Sequence, residues 1–164
     1  MSMRIFRKLS LFAMLAASLA VSACANKPVG DGQDGGPMAS AAVPGSAQDF
    51  VVNVGDRVFF ESDSTELTVQ ARGTLDKQAQ WLQRYQQYAF TIEGHADERG
   101  TREYNIALSA RRSQAARDYL ASRGIDVSRV RTIAYGKERP VAVCNDISCW
   151  SQNRRAVTVL NASS

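Results

Sequence analysis

The sequence predicts an α/β fold over residues 49–164, a single domain with a mixed β-sheet and two main helices packed on one of its faces. Three observations carry this. Short runs of β-branched and aromatic residues alternate with two long stretches of helical periodicity. Turn-forming glycines punctuate them, and the segment holds enough Val, Ile, Leu and Phe to bury one core. Arg57-Val58-Phe59-Phe60 follows the turn signal Gly55-Asp56 and predicts a strand, and Phe50-Val51-Val52-Asn53 suggests a shorter one before it. From Leu67 to about Tyr88, the apolar positions Ala71, Leu75, Ala79 and Leu82 fall on one helical face, with Thr68 as the N-cap. Phe90-Thr91-Ile92-Glu93-Gly94 alternates as a strand does. Thr101 through Ser122 reads as the second helix, stopped at Gly124. Val130 to Tyr135 and Ala156 to Leu160 supply two further strands.

Ahead of this domain the chain changes character twice. Arg4, Arg7 and Lys8 precede an apolar segment from about Leu11 to Val21, which is signal-like and too short to span a bilayer, so residues 1–23 read as a signal peptide. Small Ser22 and Ala23 then lead into Cys24. A cysteine directly after an apolar-small-small triplet resembles the lipobox of bacterial lipoproteins, where the thiol and the freed amine are acylated. Several acyl chains anchor stably, since each buried CH2 contributes about 0.8 kcal/mol. The alternative is a secreted protein with a free N-terminal thiol. Residues 24–48 carry almost no large apolar side chain and read as a flexible linker with a root-mean-square reach of roughly 25 to 30 Å. Removal of the signal takes three cations from a chain of formal charge +4, which leaves no dense basic face for nucleic acid.

The densest polar set is Gly94-His95-Ala96-Asp97-Glu98-Arg99-Gly100, followed by Tyr104-Asn105, Leu108-Ser109 and Arg112. Asn105, Leu108 and Arg112 stand at i, i+3 and i+7, so they line one stripe of the second helix, and Asp97 lies in the loop that enters it. A carboxylate and a guanidinium on neighbouring elements suit a ligand that carries both an ammonium and a carboxylate. Equally, Asp97 and Arg112 could pair with each other or cap the helix.

This string resembles the peptidoglycan-binding signature of outer-membrane protein A-like (OmpA-like) domains. Together with the lipobox, Phe59-Phe60 with Glu61 and Asp63, the run Tyr135-Gly136-Lys137-Glu138-Arg139-Pro140 and the closing Asn153-Arg154-Arg155-Ala156-Val157, it is similar to the family's wall-associated lipoproteins over the full mature length. The resemblance implies an outer-membrane lipoprotein, lipidated at Cys24, that faces the periplasm and binds the diaminopimelate side chain of peptidoglycan stem peptides without a cofactor. It further implies that Asp97 takes the ammonium and Arg112 the carboxylate, with Asn105, Leu108, Phe60, Glu61 and Ser62 lining the pocket and Arg154 adding a second cation. TolB-like and TolA-like proteins are the implied partners in envelope constriction, against the alternative of a passive wall tether. The family often carries Asp where Glu61 stands and Ala where Ser113 stands. Ala25 after Cys24, in place of the Asp that favours inner-membrane retention, agrees with outer-membrane sorting.

The same residues admit other readings. Glu93, His95 and Asp97 alternate and, on an extended strand, could share a metal, but His95 is the only histidine and a fourth ligand is wanting. A triad of Ser109, His95 and Asp97 lacks a nucleophile elbow, so the reading is binding and not catalysis. Cys144 and Cys149 flank a polar loop leading to Trp150, and in an oxidising compartment a disulfide is expected there, with free thiols as the alternative. Trp150 and Trp81 are read as packing residues.

Overall fold

The structure is a computed structural model that describes residues 42–161. The signal segment, Cys24 and most of the linker lie outside the described residues. In chain order the elements are α1 (Ala47–Asp49), a π-helical turn (Phe50–Val54), β1 (Arg57–Phe59), α2 (Val69–Arg84), β2 (Phe90–Gly94), α3 (Arg102–Ser122), a 3-10 turn (Val127–Arg129), β3 (Val130–Ala134), α4 (Ile147–Asn153) and β4 (Arg155–Leu160). The strands form one sheet in the order β1-β4-β2-β3. β4 is antiparallel to both β1 and β2, and β2 and β3 run parallel through the α3 crossover. The α/β class, the mixed sheet and the two main helices are as the sequence predicts.

Each long helix begins on a side-chain cap. Thr68 accepts from the Ala71 amide at 3.1 Å and Thr101 from the Tyr104 amide at 3.2 Å, each satisfying a donor that the first turn leaves unpaired. The core lies between the sheet and the helices, where Val58, Leu75, Leu82, Phe90, Ile92 and Leu120 are buried. Gln78 is buried among them with its amide satisfied: it donates to the Gly55 carbonyl at 2.7 Å and accepts from the Thr158 hydroxyl at 2.9 Å.

The structure departs from the sequence reading at three places. Phe50–Asn53 is not a strand. The Ser46 hydroxyl caps the preceding turn at 3.1 Å, and Asp49 accepts from the Trp81 indole at 2.8 Å. Those anchors wind the segment helically so that Phe50 is buried while Val51 and Val52 stay exposed. Hydrogen-bonded structure also starts earlier than Asp49, since the Tyr88 hydroxyl donates to the Gly45 carbonyl at 2.8 Å and the Ser46 amide to Val43 at 3.0 Å. The polar stretch before Trp150 carries α4, a short helix that apolar periodicity could not reveal. Asp146 caps it through the Ser148 amide at 2.8 Å, and Cys144 and Cys149 are joined in a disulfide across its start.

Candidate functional site

The sheet and α3 approach closely at Gly94, where an added Cβ would lie 1.9 Å from the Ser109 carbonyl oxygen, and the loop leaving β2 there runs along the start of α3. This places Asp97, Arg99 and Gly100 opposite Asn105, Leu108 and Arg112, with Ser62 and Asp63 from the β1–α2 loop closing the far side. A cleft of about 260 Å³ lies between them, lined also by Tyr104.

Arg112 is fully buried. Its guanidinium is held by three backbone carbonyls: Nε donates to Ser64 at 2.9 Å, Nη1 to His95 at 3.0 Å and Nη2 to Glu61 at 3.1 Å. The Phe60 ring lies 5.2 Å from it. These carbonyls supply dipoles but no counter-charge, so burial, with the Arg154 cation adding to it, pushes the Arg112 pKa down to about 10. It still carries its charge at neutral pH.

Asp97, 6% exposed, faces different partners. Arg99 forks onto it, Nε to Oδ1 at 3.0 Å and Nη2 to Oδ2 at 2.6 Å, and the Arg99 amide donates to Oδ1 at 3.2 Å. Arg154 Nη1 reaches Oδ2 at 3.4 Å. Burial alone would raise this carboxyl, but the bonds from Arg99 outweigh it and hold the pKa below the usual carboxylate range. Both Asp97 and Arg112 are therefore charged, line one cleft, and find their partners elsewhere than in each other. The pairing between them that the sequence left open is not formed.

The remaining expected residues fall into distinct places. Asn105 and Leu108 line the cleft, and the Asn105 amide fixes the loop by donating to the Arg99 carbonyl at 2.7 Å. Ser62 lines it and accepts from Arg99 Nη2 at 2.8 Å. Phe60 lies beneath Arg112 with its side chain in the core, and Glu61 offers Arg112 its carbonyl while its side chain points to solvent. Arg154 is buried, its Nε donating to the Phe60 carbonyl at 3.0 Å. Sequence reasoning gave no role to Asp63, Arg99 or Tyr104, which also line the cleft. The signal available was their place inside the quoted motifs. Asp63 takes a positive φ of 58°, which turns the β1–α2 loop toward α3, where the Tyr104 hydroxyl donates to its carboxylate.

The metal and triad readings find no geometry. β2 ends at Gly94, so the strand alternation does not continue to Asp97, and among the described residues no group of three or more His, Cys, Asp or Glu side chains gathers. Ser109 Oγ donates to the Ile106 carbonyl and accepts from the Gly136 amide, both at 2.9 Å. The His95 ring is instead buried against Tyr135, with Nε2 3.7 Å from Glu93 and neither ring nitrogen hydrogen-bonded. Burial first, and then the Arg155 and Arg139 cations, push its pKa down to about 4. The sign follows by linkage: above pH 6.5 the imidazole is neutral in both states, and between 6.5 and about 4 only the unfolded chain takes the proton. Stability is expected to fall through that window by about 3 kcal/mol. Thermal melts at stepped pH check this, and His95→Gln should flatten the slope; equal slopes in the two proteins would refute it.

Comparison with known proteins agrees with this architecture. Residues 59–155 match the OmpA family, and the chain belongs to it. Within that family, its relatives are named peptidoglycan-associated lipoprotein. The one from Agrobacterium fabrum is 60% identical over 163 residues, covering 98% of this chain and 92% of its own. That of Brucella melitensis is 64% identical over 148 residues, covering 89% and 88%, and that of Pseudomonas aeruginosa 41% over 160 residues, covering 90% and 95%. Among solved structures, the peptidoglycan-associated lipoprotein from Burkholderia pseudomallei superposes with a TM-score of 0.63 at 39% identity, over 65% of this chain and 90% of that one. The C-terminal domain of Helicobacter pylori MotB shares the fold alone, with a TM-score of 0.61 at 17% identity over 65% of this chain and 84% of that one. Among the described residues no helix is long and apolar enough to cross a membrane.

Proposed function

We propose that this domain anchors the outer membrane to the cell wall by holding, without breaking a bond, the diaminopimelate side chain of uncrosslinked peptidoglycan stem peptides. The observation that carries the reading is the pair of opposite charges, Asp97 and Arg112, set in one cleft and not spent on each other. A ligand with a terminal ammonium and carboxylate meets both at once, while Leu108 packs on the methylene stem between them and Asn105 holds the Asp97 loop. Arg112 meets the carboxylate as a guanidinium whose desolvation folding has already completed, so little ordering remains for binding to pay for. Acyl chains on Cys24 hold the other end in the outer membrane. The domain works in the periplasm on the linker, after removal of residues 1–23. Relatives named peptidoglycan-associated lipoprotein support the wall as the target, and the OmpA-like resemblance adds TolB-like and TolA-like partners that would couple this hold to constriction.

The test is binding of the chain from Ala25 to Ser164 to wall fragments with diaminopimelate stems, against lysine stems that lack the extra carboxylate. Preference for diaminopimelate is expected, and Asp97→Asn should weaken binding of the diaminopimelate stem at least tenfold, about the 1.4 kcal/mol expected of one lost charge-assisted bond. Equal binding to both walls would overturn the reading.

A further inference from the structure

The contact that occupies Asp97 points to what sets the strength of the site. Arg99 is 43% exposed at its side chain, and an exposed arginine seldom holds one geometry for long. Here it is fixed from three sides. Its guanidinium carbon lies 4.3 Å from the centre of the Trp150 ring, Nη2 donates to Ser62 at 2.8 Å, and the Nε–Nη2 edge forks onto Asp97. Trp150 is fixed in turn: its indole nitrogen donates to Glu98, and it follows Cys149, which the disulfide ties to Cys144. Further along the same helix, Asn153 accepts from the Val141 and Ala142 amides at 2.8 and 3.2 Å.

We propose that Trp150 is a positioning residue for the ligand site, which holds Arg99 across Asp97 so that a ligand's ammonium must displace an internal guanidinium to reach the carboxylate. This rests on the zwitterion reading above. The fork takes the edge of the carboxylate that a bidentate partner needs and offsets its charge, so Arg99, while it lines the cleft, is a competitor of the ammonium. Arg112 has no such competitor, being held by carbonyls alone. The site therefore reads the ligand carboxylate at full strength and the ammonium at a discount that Trp150 sets.

The test uses the chain from Ala25 to Ser164 with a tripeptide ending in meso-diaminopimelate and the same tripeptide ending in 2-aminopimelate, which keeps the distal carboxylate and lacks the distal ammonium. Calorimetry is run on the unaltered chain, Trp150→Ala, Arg99→Gln and the double substitution. Trp150→Ala and Arg99→Gln are each expected to tighten the diaminopimelate peptide about three- to tenfold, as loss of one cation–π hold or one fork allows. The double substitution should add nothing to Arg99→Gln, the aminopimelate peptide should not tighten, and Trp150→Phe should restore most of the original affinity. Weaker binding of the diaminopimelate peptide by Arg99→Gln would make Arg99 a ligand contact and overturn the proposal. An unchanged affinity in Trp150→Ala, or equal tightening of both peptides, would also overturn it. If the unaltered chain does not distinguish the two peptides and Asp97→Asn changes neither, the zwitterion reading has failed, and the proposal with it. If that distinction holds while Trp150→Ala has no effect, the proposal alone has failed.

Discussion

Gly94→Ala is expected to abolish the fold. A Cβ built on Gly94 would lie 1.9 Å from the Ser109 carbonyl oxygen and 2.7 Å from its carbon, both backbone atoms of α3. Neither side has room to yield. Gly94 is paired with Ala134 of β3 and Ala156 of β4, so moving it tears the sheet on both flanks. Ser109 is fully buried, and its hydroxyl binds the Gly136 amide, so α3 cannot slide without leaving a buried donor unpaired. Overpacking of flexible side chains usually costs about 1–3 kcal/mol, and a clash of two backbones in regular elements exceeds the range those can absorb. A loss above about 5 kcal/mol removes most of what holds a domain of this size. Far-UV circular dichroism and a thermal melt decide the matter: a cooperative transition within a few degrees of the unaltered protein would show that the helix and the sheet are not so close. Gly73→Ala is the control, because a Cβ there meets nothing within 4 Å and removing a helical glycine should stabilise by up to about 1 kcal/mol.

That close approach explains what the sequence could and could not disclose. Helices α2 and α3 and the strands β2 and β3 were legible because each writes its partner into its own spacing: Ala71, Leu75, Ala79 and Leu82 form a stripe that only a helix makes continuous. The stripe of Asn105, Leu108 and Arg112 was legible for the same reason, and the structure buries all three. Phe50–Asn53 reads as a strand because β-branched residues carry no local sign of their tertiary anchors. The bond from the Trp81 indole to Asp49 joins residues far apart in sequence, and no local pattern announces it. Helix α4 escaped because its order comes from the Asp146 cap, the disulfide and Asn153, none of which has a period. In the cleft, the residue types were readable and the pairings were not. The sequence offered Arg112 as a pairing partner for Asp97, and the path of the loop instead brings Arg99 and Arg154 to it.

The partner that Arg112 does have makes its removal the second large effect expected. Arg112→Ala should destabilise the domain by about 3–5 kcal/mol, the range for breaking a buried charged network. The Glu61 and Ser64 carbonyls belong to the β1–α2 loop and the His95 carbonyl to the loop after β2, so one guanidinium ties together two segments that no backbone bond joins directly. Alanine leaves three acceptors without donors and a void beneath the Phe60 ring. Against this stands the relief of a buried cation. The fall of the Arg112 pKa from its ordinary guanidinium value to about 10 says that the folded state holds the charge at a cost of about 3 kcal/mol relative to water, and that cost disappears with the side chain. Three orphaned carbonyls at about 1–3 kcal/mol each, with the void added, exceed it. Arg112→Lys separates the two roles: an ammonium keeps the charge but cannot reach three carbonyls in a plane and still offer a fork to a carboxylate. It should recover about half of the lost stability while binding of a diaminopimelate stem remains at least tenfold weak. Paired thermal melts and binding isotherms for the two variants read this directly. Full recovery of binding by lysine would mean that the site needs only a positive charge at that position, and the bidentate grip on the ligand carboxylate would be refuted.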